Sequence, residues 1–296
     1  MINLSTSPEF SHFPVMLDEV IKICSPKKGG VFIDCTFGGG GYSKKILNFS
    51  NTKVIALDRD IFIKDISKKL EEKYPERFNF YHKKFSELNN IVGDQLVDGV
   101  IFDLGLSSIQ LKNLQRGFSF NAKGKLDMSM GLNDISVEQV LNNATEDKLR
   151  LIIKILGEEK EANKIVKNIV KEREKNKIIK VKQLVEIVIK SKKRNFASKI
   201  NPSTKTFQAL RIFVNKEITE LTQGIIQATK ILKPGGKILI VSFHSIEDKI
   251  VKYFFNNFSS NRSKPSRYLP ENGIHNLFFL KDIKIKSLNL VKKKYL

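Results

Sequence analysis

Three aspartates in the first third of the chain each close a short apolar run. Asp34 follows Val31-Phe-Ile, Asp58 follows Lys53-Val-Ile-Ala-Leu, and Asp103 follows Gly99-Val-Ile-Phe. Directly after the first run comes Asp34-Cys-Thr-Phe-Gly-Gly-Gly-Gly-Tyr-Ser43. Glycines at 38–41 let backbone N–H groups approach a ligand with no Cβ in the way, and the N-terminus of a following helix adds positive potential. Asp58 stands 20 residues after Gly38. At that spacing a strand-end carboxylate can accept both hydroxyls of a ribose. The chemistry is capture of a nucleoside-containing ligand, which NAD and S-adenosylmethionine share; a tight turn beside a solvated acid has the same pattern. The dinucleotide fingerprint G-x-G-x-x-G asks for a third glycine where Ser43 stands. That gap, the stretch Asp103-Leu-Gly-Leu-Ser-Ser108 and the turn Leu232-Lys-Pro-Gly-Gly236 favour a methyl donor over a redox nucleotide. Asp103 would then lie where an adenine amine or a sulfonium could be placed, or it bonds loop amides.

These residues need a scaffold that brings strand ends together. Apolar runs at 31–35, 53–58, 78–81 and 99–103 alternate with helical patterns at 42–49, 61–74 and 86–91, as in βαβ units with a parallel sheet covered on both faces. From about 109 to 205 no strand is legible. Residues 117–131 read as a loop, and Ser136 and Thr145 read as N-caps of two helices. Helices follow at 158–175 and 181–190, then one long helix at 206–232, a turn at 233–236 and a fifth strand at 237–242. The expected architecture is α/β: a doubly wound sheet made of 1–108 and 205–296, with an inserted helical domain at 109–204.

Charge is unevenly distributed. Of a net +21, residues 146–205 carry +10 and residues 249–296 carry +9. Such localisation points to a polyanion partner. Against that, 43 of the 52 basic residues are Lys, the bias of an A/T-rich genome. Cys24 and Cys35 are the only cysteines, with no CxxC, which speaks against a zinc site or disulfides and for a reducing cytoplasm. No apolar run reaches the roughly 18 residues of a membrane span, and the N-terminal stretch lacks the basic and apolar regions of a secretory signal.

With these residues in view, the chain resembles the bacterial 16S rRNA cytosine-N4 methyltransferases over nearly all of 12–255. The resemblance rests on the blocks beginning at His12, on DCTFGGGGYS, ALDRD (56–60), FSEL (85–88), DLGLSSIQL (103–111), RGFSF (116–120), LDMSM (126–130), FQALRIFVN (207–215) and SFHSIED (242–248). It implies a Rossmann-like class I fold with a helical insertion that serves RNA recognition. S-adenosylmethionine is the implied cofactor, with 16S rRNA in the small ribosomal subunit as partner, a cytidine of the decoding region as target, a cytoplasmic setting and a possible homodimer. The implied cofactor contacts are Gly40, Gly41, Tyr42, Asp58, Phe85, Asp103 and Gln110. Tyr42 stands where the family usually has His. The family's Asn-Pro-Arg-x-Arg-Ser-like stretch is missing from the tail.

Methyl transfer to an exocyclic amine needs an acceptor near the nitrogen and a route for one proton, but no cysteine nucleophile. Asp103, Ser107, Ser108 and His244 are the candidates, with Asp103 and His244 foremost. Lys190, Lys192, Lys193, Arg194 and Lys199, together with the basic tail, could hold phosphates around an unstacked base. Arg116, with Phe118 and Phe120, either clamps that base or packs the insertion onto the sheet. Two rival functions remain on sequence grounds: a non-catalytic RNA-binding module on the same fold, and an NAD-dependent oxidoreductase.

Overall fold

A computed structural model describes residues 14–192 and 200–257 of the chain. Five parallel strands form one sheet: β1 (Gly30–Asp34), β2 (Thr52–Asp58), β3 (Phe78–His82), β4 (Val97–Asp103) and β5 (Leu232–Val241), in the order β3-β2-β1-β4-β5. The order reverses between β1 and β4, and at such a switch point the strand ends open a crevice for a ligand. In register, Asp34 lies beside Ala56 and Ile101, and Asp58 beside His82. All three chemistry-bearing aspartates are therefore at the carboxyl edge of neighbouring strands. This is the Rossmann-like arrangement expected from the alternating pattern.

The helices are α1 (Leu17–Cys24), α2 (Gly41–Leu47), α3 (Lys64–Lys73), α4 (Leu88–Val92), α5 (Ser108–Lys112), α6 (Val137–Asn143), α7 (Glu146–Leu151), α8 (Ala162–Arg173), α9 (Val181–Ser191), α10 (Thr204–Asn215), α11 (Glu217–Lys230) and α12 (Ser245–Asn257). Ser136 and Thr145 cap α6 and α7 by accepting from the N–H groups of Gln139 and Lys148, as their sequence positions predict. A π-helical turn, 152–156, ends α7. Residues up to Val241 form one compact unit and residues from Ser242 a second. Within the first, two hydrophobic cores are distinct. One packs Phe32, Ile46, Val54, Ala56, Phe78 and Ile101 about the sheet. The other joins Leu126, Leu141, Ile153, Ile165, Leu184 and Leu210 into a helical lobe that includes α10.

Two details differ from the sequence expectation. The single helix at 206–232 is two, broken at Lys216, whose backbone is left-handed at φ 52°. The fifth strand starts at Leu232, with a register shift between Val97 and Gly99 of β4, so the Pro-Gly-Gly segment is taken up in the strand edge.

The lobe is fixed to the sheet by polar groups from the residues just past Asp58. Arg59 donates to the carbonyls of Gly131 and Asn215 and to Asn133 Oδ1, each at 2.8 Å. Asn215 is fully buried; it accepts from Met130 N–H and donates to the Met128 carbonyl, both at 2.8 Å. Asp60, 2% exposed, accepts from Gln110 Nε2 at 2.9 Å and from Arg116 Nη1 at 2.5 Å. The Arg116 guanidinium also donates to the Ser129 carbonyl and lies over the rings of Phe62 and Phe118. Of its two sequence-stated roles, Arg116 thus takes the packing one, and Phe120 packs edge-on against Phe207. Removing one partner of a buried ion pair leaves the other charge uncompensated. Arg116→Ala is therefore expected to lower unfolding free energy by about 3–5 kcal/mol in urea titration; unchanged stability would restore the clamp role.

Candidate active site

The turn after β1 is held open by its own backbone and by neighbouring acids. Gly38 and Gly40 have φ of +50° and +74°, which L side chains rarely adopt. A Cβ on Gly40 would sit 2.8 Å from the Phe37 ring, whereas one on Gly39 would meet nothing within 4 Å. The turn therefore packs tightly on one side and presents bare, exposed backbone on the other. Asp58 Oδ2 accepts the Gly38 N–H and its Oδ1 accepts the Asp60 N–H, both at 2.8 Å. Each oxygen keeps a further lone pair, which is what two vicinal hydroxyls require. Burial pushes the Asp58 carboxyl up to about 6, partly offset by those two N–H donors.

Asp34 is fully buried behind the turn. It accepts from Ser43 Oγ at 2.7 Å and from Thr36 N–H at 3.3 Å, tying the start of α2 to β1. Burial raises it to about 6 as well, with the Ser43 hydroxyl opposing. Thr36 in turn accepts the Asp103 N–H at 2.7 Å, which links the loop after β1 to the end of β4. Tyr42 is buried and donates from its hydroxyl to the Val15 carbonyl at 2.5 Å. Its phenol is raised first by burial and then by the charge of the Asp103 carboxylate. Tyr42 thus braces the N-terminal segment at Val15.

Phe85 is half-buried, edge-on to Phe102 at 5.4 Å, and a Cβ on Gly224 would lie 2.6 Å from its ring. Gln110 is buried; its Oε1 accepts the Ser107 N–H and its Nε2 reaches Asp60. The Ser107 hydroxyl caps α5 by accepting the Gln110 N–H at 3.2 Å. Asp34, Gly40, Gly41, Tyr42, Asp58 and Asp103 are hence joined through one network or adjoining turn, while Phe85 and Gln110 flank it with strong packing roles. His244 belongs to the second unit, where its Nε2 is 3.0 Å from Glu247 Oε1. Cys24 and Cys35 are buried, and burial pushes the Cys24 thiol up to about 12 and Cys35 upward too. Neither is an available thiolate.

Arg59, Asp60, Asn133 and Asn215 were not singled out from the sequence. For Arg59, Asp60 and Asn215 the signal was present in the ALDRD and FQALRIFVN blocks, which end on Asp60 and Asn215; Asn133 lies outside both. Residues 12 and 13 of the first block, and Lys193, Arg194, Lys199 and tail residues 258–296, lie outside the described residues.

A parallel sheet with a glycine turn on its first strand, a ribose-type acid on the second and an acid on the fourth defines a nucleoside-dependent transferase of the Rossmann-like methyltransferase class. More narrowly, the chain belongs to the MraW methylase family, whose model matches residues 9–286. It is 45% identical over 254 residues to the ribosomal RNA small subunit methyltransferase H of Ehrlichia canis (strain Jake), covering 84% of this chain and 86% of that protein. The like-named proteins of Neorickettsia sennetsu and Rickettsia massiliae are 43% and 42% identical; the matches cover 86% and 87% of this chain, and 86% and 84% of those proteins. The family's methyl donor is S-adenosylmethionine. The residues fit it: the exposed face at Gly39 has room for a ligand, and the Asp58 oxygens retain acceptor capacity beside it.

A carboxyl near 6 must be ionised to accept from both ribose hydroxyls. Below about pH 6 it holds a proton and loses one acceptor site, so affinity falls as pH falls. The dissociation constant for S-adenosylmethionine, by calorimetry, is expected to weaken about tenfold from pH 7 to pH 5. Asp58→Asn is expected to bind weakly at both pH values and to abolish that step; a wild-type profile in the variant would remove Asp58 from the cofactor site.

Proposed function

We propose that the protein methylates the exocyclic N4 of one cytidine in the decoding region of 16S rRNA, in the context of the small ribosomal subunit. The observation that carries this is the link from Asp58 through Gly38 and Thr36 to Asp103, which ties a candidate ribose acceptor and a second acid together at the ends of β2 and β4, on either side of β1. The names and 42–45% identity of the relatives support the RNA substrate.

When bound, S-adenosylmethionine supplies a methyl group already activated by its sulfonium. The chain's part is positioning and proton handling. The amine lone pair of cytosine is delocalised into the ring. Asp103, whose N–H is held by the Thr36 hydroxyl, is the acceptor we assign to the amine hydrogen. Accepting that hydrogen bond localises the lone pair on nitrogen and gives the departing proton a destination. His244, paired with Glu247, is the second candidate for holding that proton. The target cytidine must be unstacked for its amine to be reached.

The lobe between residues 109 and 204 is assigned to RNA recognition. Among the described residues no helix is long and apolar enough to cross a membrane. A cytoplasmic setting and a homodimer accompany this proposal; light scattering tests the latter.

Purified protein incubated with labelled S-adenosylmethionine and small subunits from cells lacking it is expected to form N4-methylcytidine in 16S rRNA. Asp103→Asn is expected to lower kcat on the order of 100-fold. Absence of label with the wild-type chain would leave the non-catalytic RNA-binding role instead.

A further inference from the structure

The exposed side of α8 carries Lys164, Lys167 and Lys171, at helical spacings of three and four, opposite the buried Ile165, Val166 and Ile169. At 100° per residue these three lysines fall within one narrow stripe. The stripe borders a groove of about 370 Å³ between α8 and α9, lined by Lys164, Lys167, Asn168, Lys190, Ser191 and Lys192. Lys192 is committed to Glu159 at 2.6 Å and to the Pro202 carbonyl at 2.8 Å. Lys164, Lys167, Lys171 and Lys190 are exposed, with Glu161 at 3.9 Å from Lys164.

An ordinary solvated helix face interleaves its lysines with acids one turn away. This lobe does so elsewhere: Arg150 pairs with Glu146 and Asp147 on α7, and Lys182 faces Glu186 on α9. On α8 that interleaving is partial: Glu161 lies 3.9 Å from Lys164, but the lysines also neighbour one another. Lys164 and Lys167 are three apart, and Lys167 and Lys171 are four apart, so like charges face one another along the helix, which disfavours it. A negative ligand running along the stripe would relieve that repulsion. The groove floor is polar and fixed, because Asn168 Nδ2 donates to Ser191 Oγ at 2.8 Å and Ser191 Oγ donates to the Ile187 carbonyl at 2.6 Å. A polar floor lined with point charges suits phosphates rather than an apolar peptide face.

We propose that the α8–α9 groove is a phosphate track for the RNA substrate, with Lys164, Lys167, Lys171 and Lys190 contacting successive backbone phosphates. This rests on the proposed function and names the surface that binds its substrate away from the strand ends. The sequence had pointed to lysines from 190 onward; α8 supplies the other half of the track.

The test uses the full chain with alanine, a strong helix former, at Lys164, Lys167, Lys171 and Lys190 together. A control variant has alanine at Lys68, Lys69 and Lys73, which are equally exposed on α3. Binding to small subunits is followed from 50 to 200 mM salt. Each lost phosphate contact lowers the slope of log affinity against log salt by about 0.7–0.9. The groove variant is expected to lose about 3 in slope. Its KM for small subunits is expected to rise at least tenfold, with kcat within twofold, S-adenosylmethionine affinity at the wild-type value and melting temperature at or above it. The control variant is expected to keep the wild-type slope. An unchanged slope in the groove variant, or an equal loss in the control, overturns the track while leaving the proposed activity standing. If the wild-type chain transfers no methyl group to small subunits, the activity fails first, and the two failures are told apart by that one lane.

Discussion

The structure turns on three consecutive residues at the end of β2. The carboxylate of Asp58 reaches back to the glycine turn, the guanidinium of Arg59 reaches out to α10 and the loop at 131–133, and the carboxylate of Asp60 holds Gln110 and Arg116. One short peptide thereby fixes the glycine turn and the helical lobe in a single frame. Packing alone would leave the two hydrophobic cores separate, since neither shares its buried residues with the other. Directional polar bonds supply the registration, and buried ones are costly to break singly.

That frame explains why the strand-end acids are held in poor surroundings for charge. Asp34 and Asp58 are enclosed and shifted up to about 6, yet each accepts N–H or O–H donors from the loops it braces. The arrangement keeps the acceptors aimed before any ligand arrives, so little reorganisation remains for the bound state. Tyr42 adds to the frame: its buried phenol holds the N-terminal segment at the Val15 carbonyl.

How much was legible in the sequence follows from the range of each interaction. Strands β1, β2 and β4 were readable because apolar runs ending in Asp have a local signature, and β3 because its aromatic residues fall between two helical patterns; the N-caps Ser136 and Thr145 are local signals too. The glycine turn was readable as a turn because left-handed backbone at Gly38 and Gly40 calls for glycine, and Asp58 because it closes an apolar run. The break at Lys216 was not. Lysine carries no turn preference, and the kink is held by tertiary bonds: Arg211 forks onto Glu217 at 2.8 and 2.9 Å across it, and Asn215 is locked into the buried hub. Nor could local pattern give Gln110 and Arg116 their common partner, because Asp60 lies 50 and 56 positions away from them. Short motifs marked those residues as unusual; only the fold shows that they brace the site from behind.

The most direct measurement is a crystal structure of the chain with S-adenosylmethionine bound. The account requires both ribose hydroxyls within hydrogen-bonding distance of the Asp58 carboxylate, the donor lying along the bare face of Gly39, and the sulfonium methyl on the Asp103 side. A donor seated elsewhere, or a ribose that ignores Asp58, would contradict it.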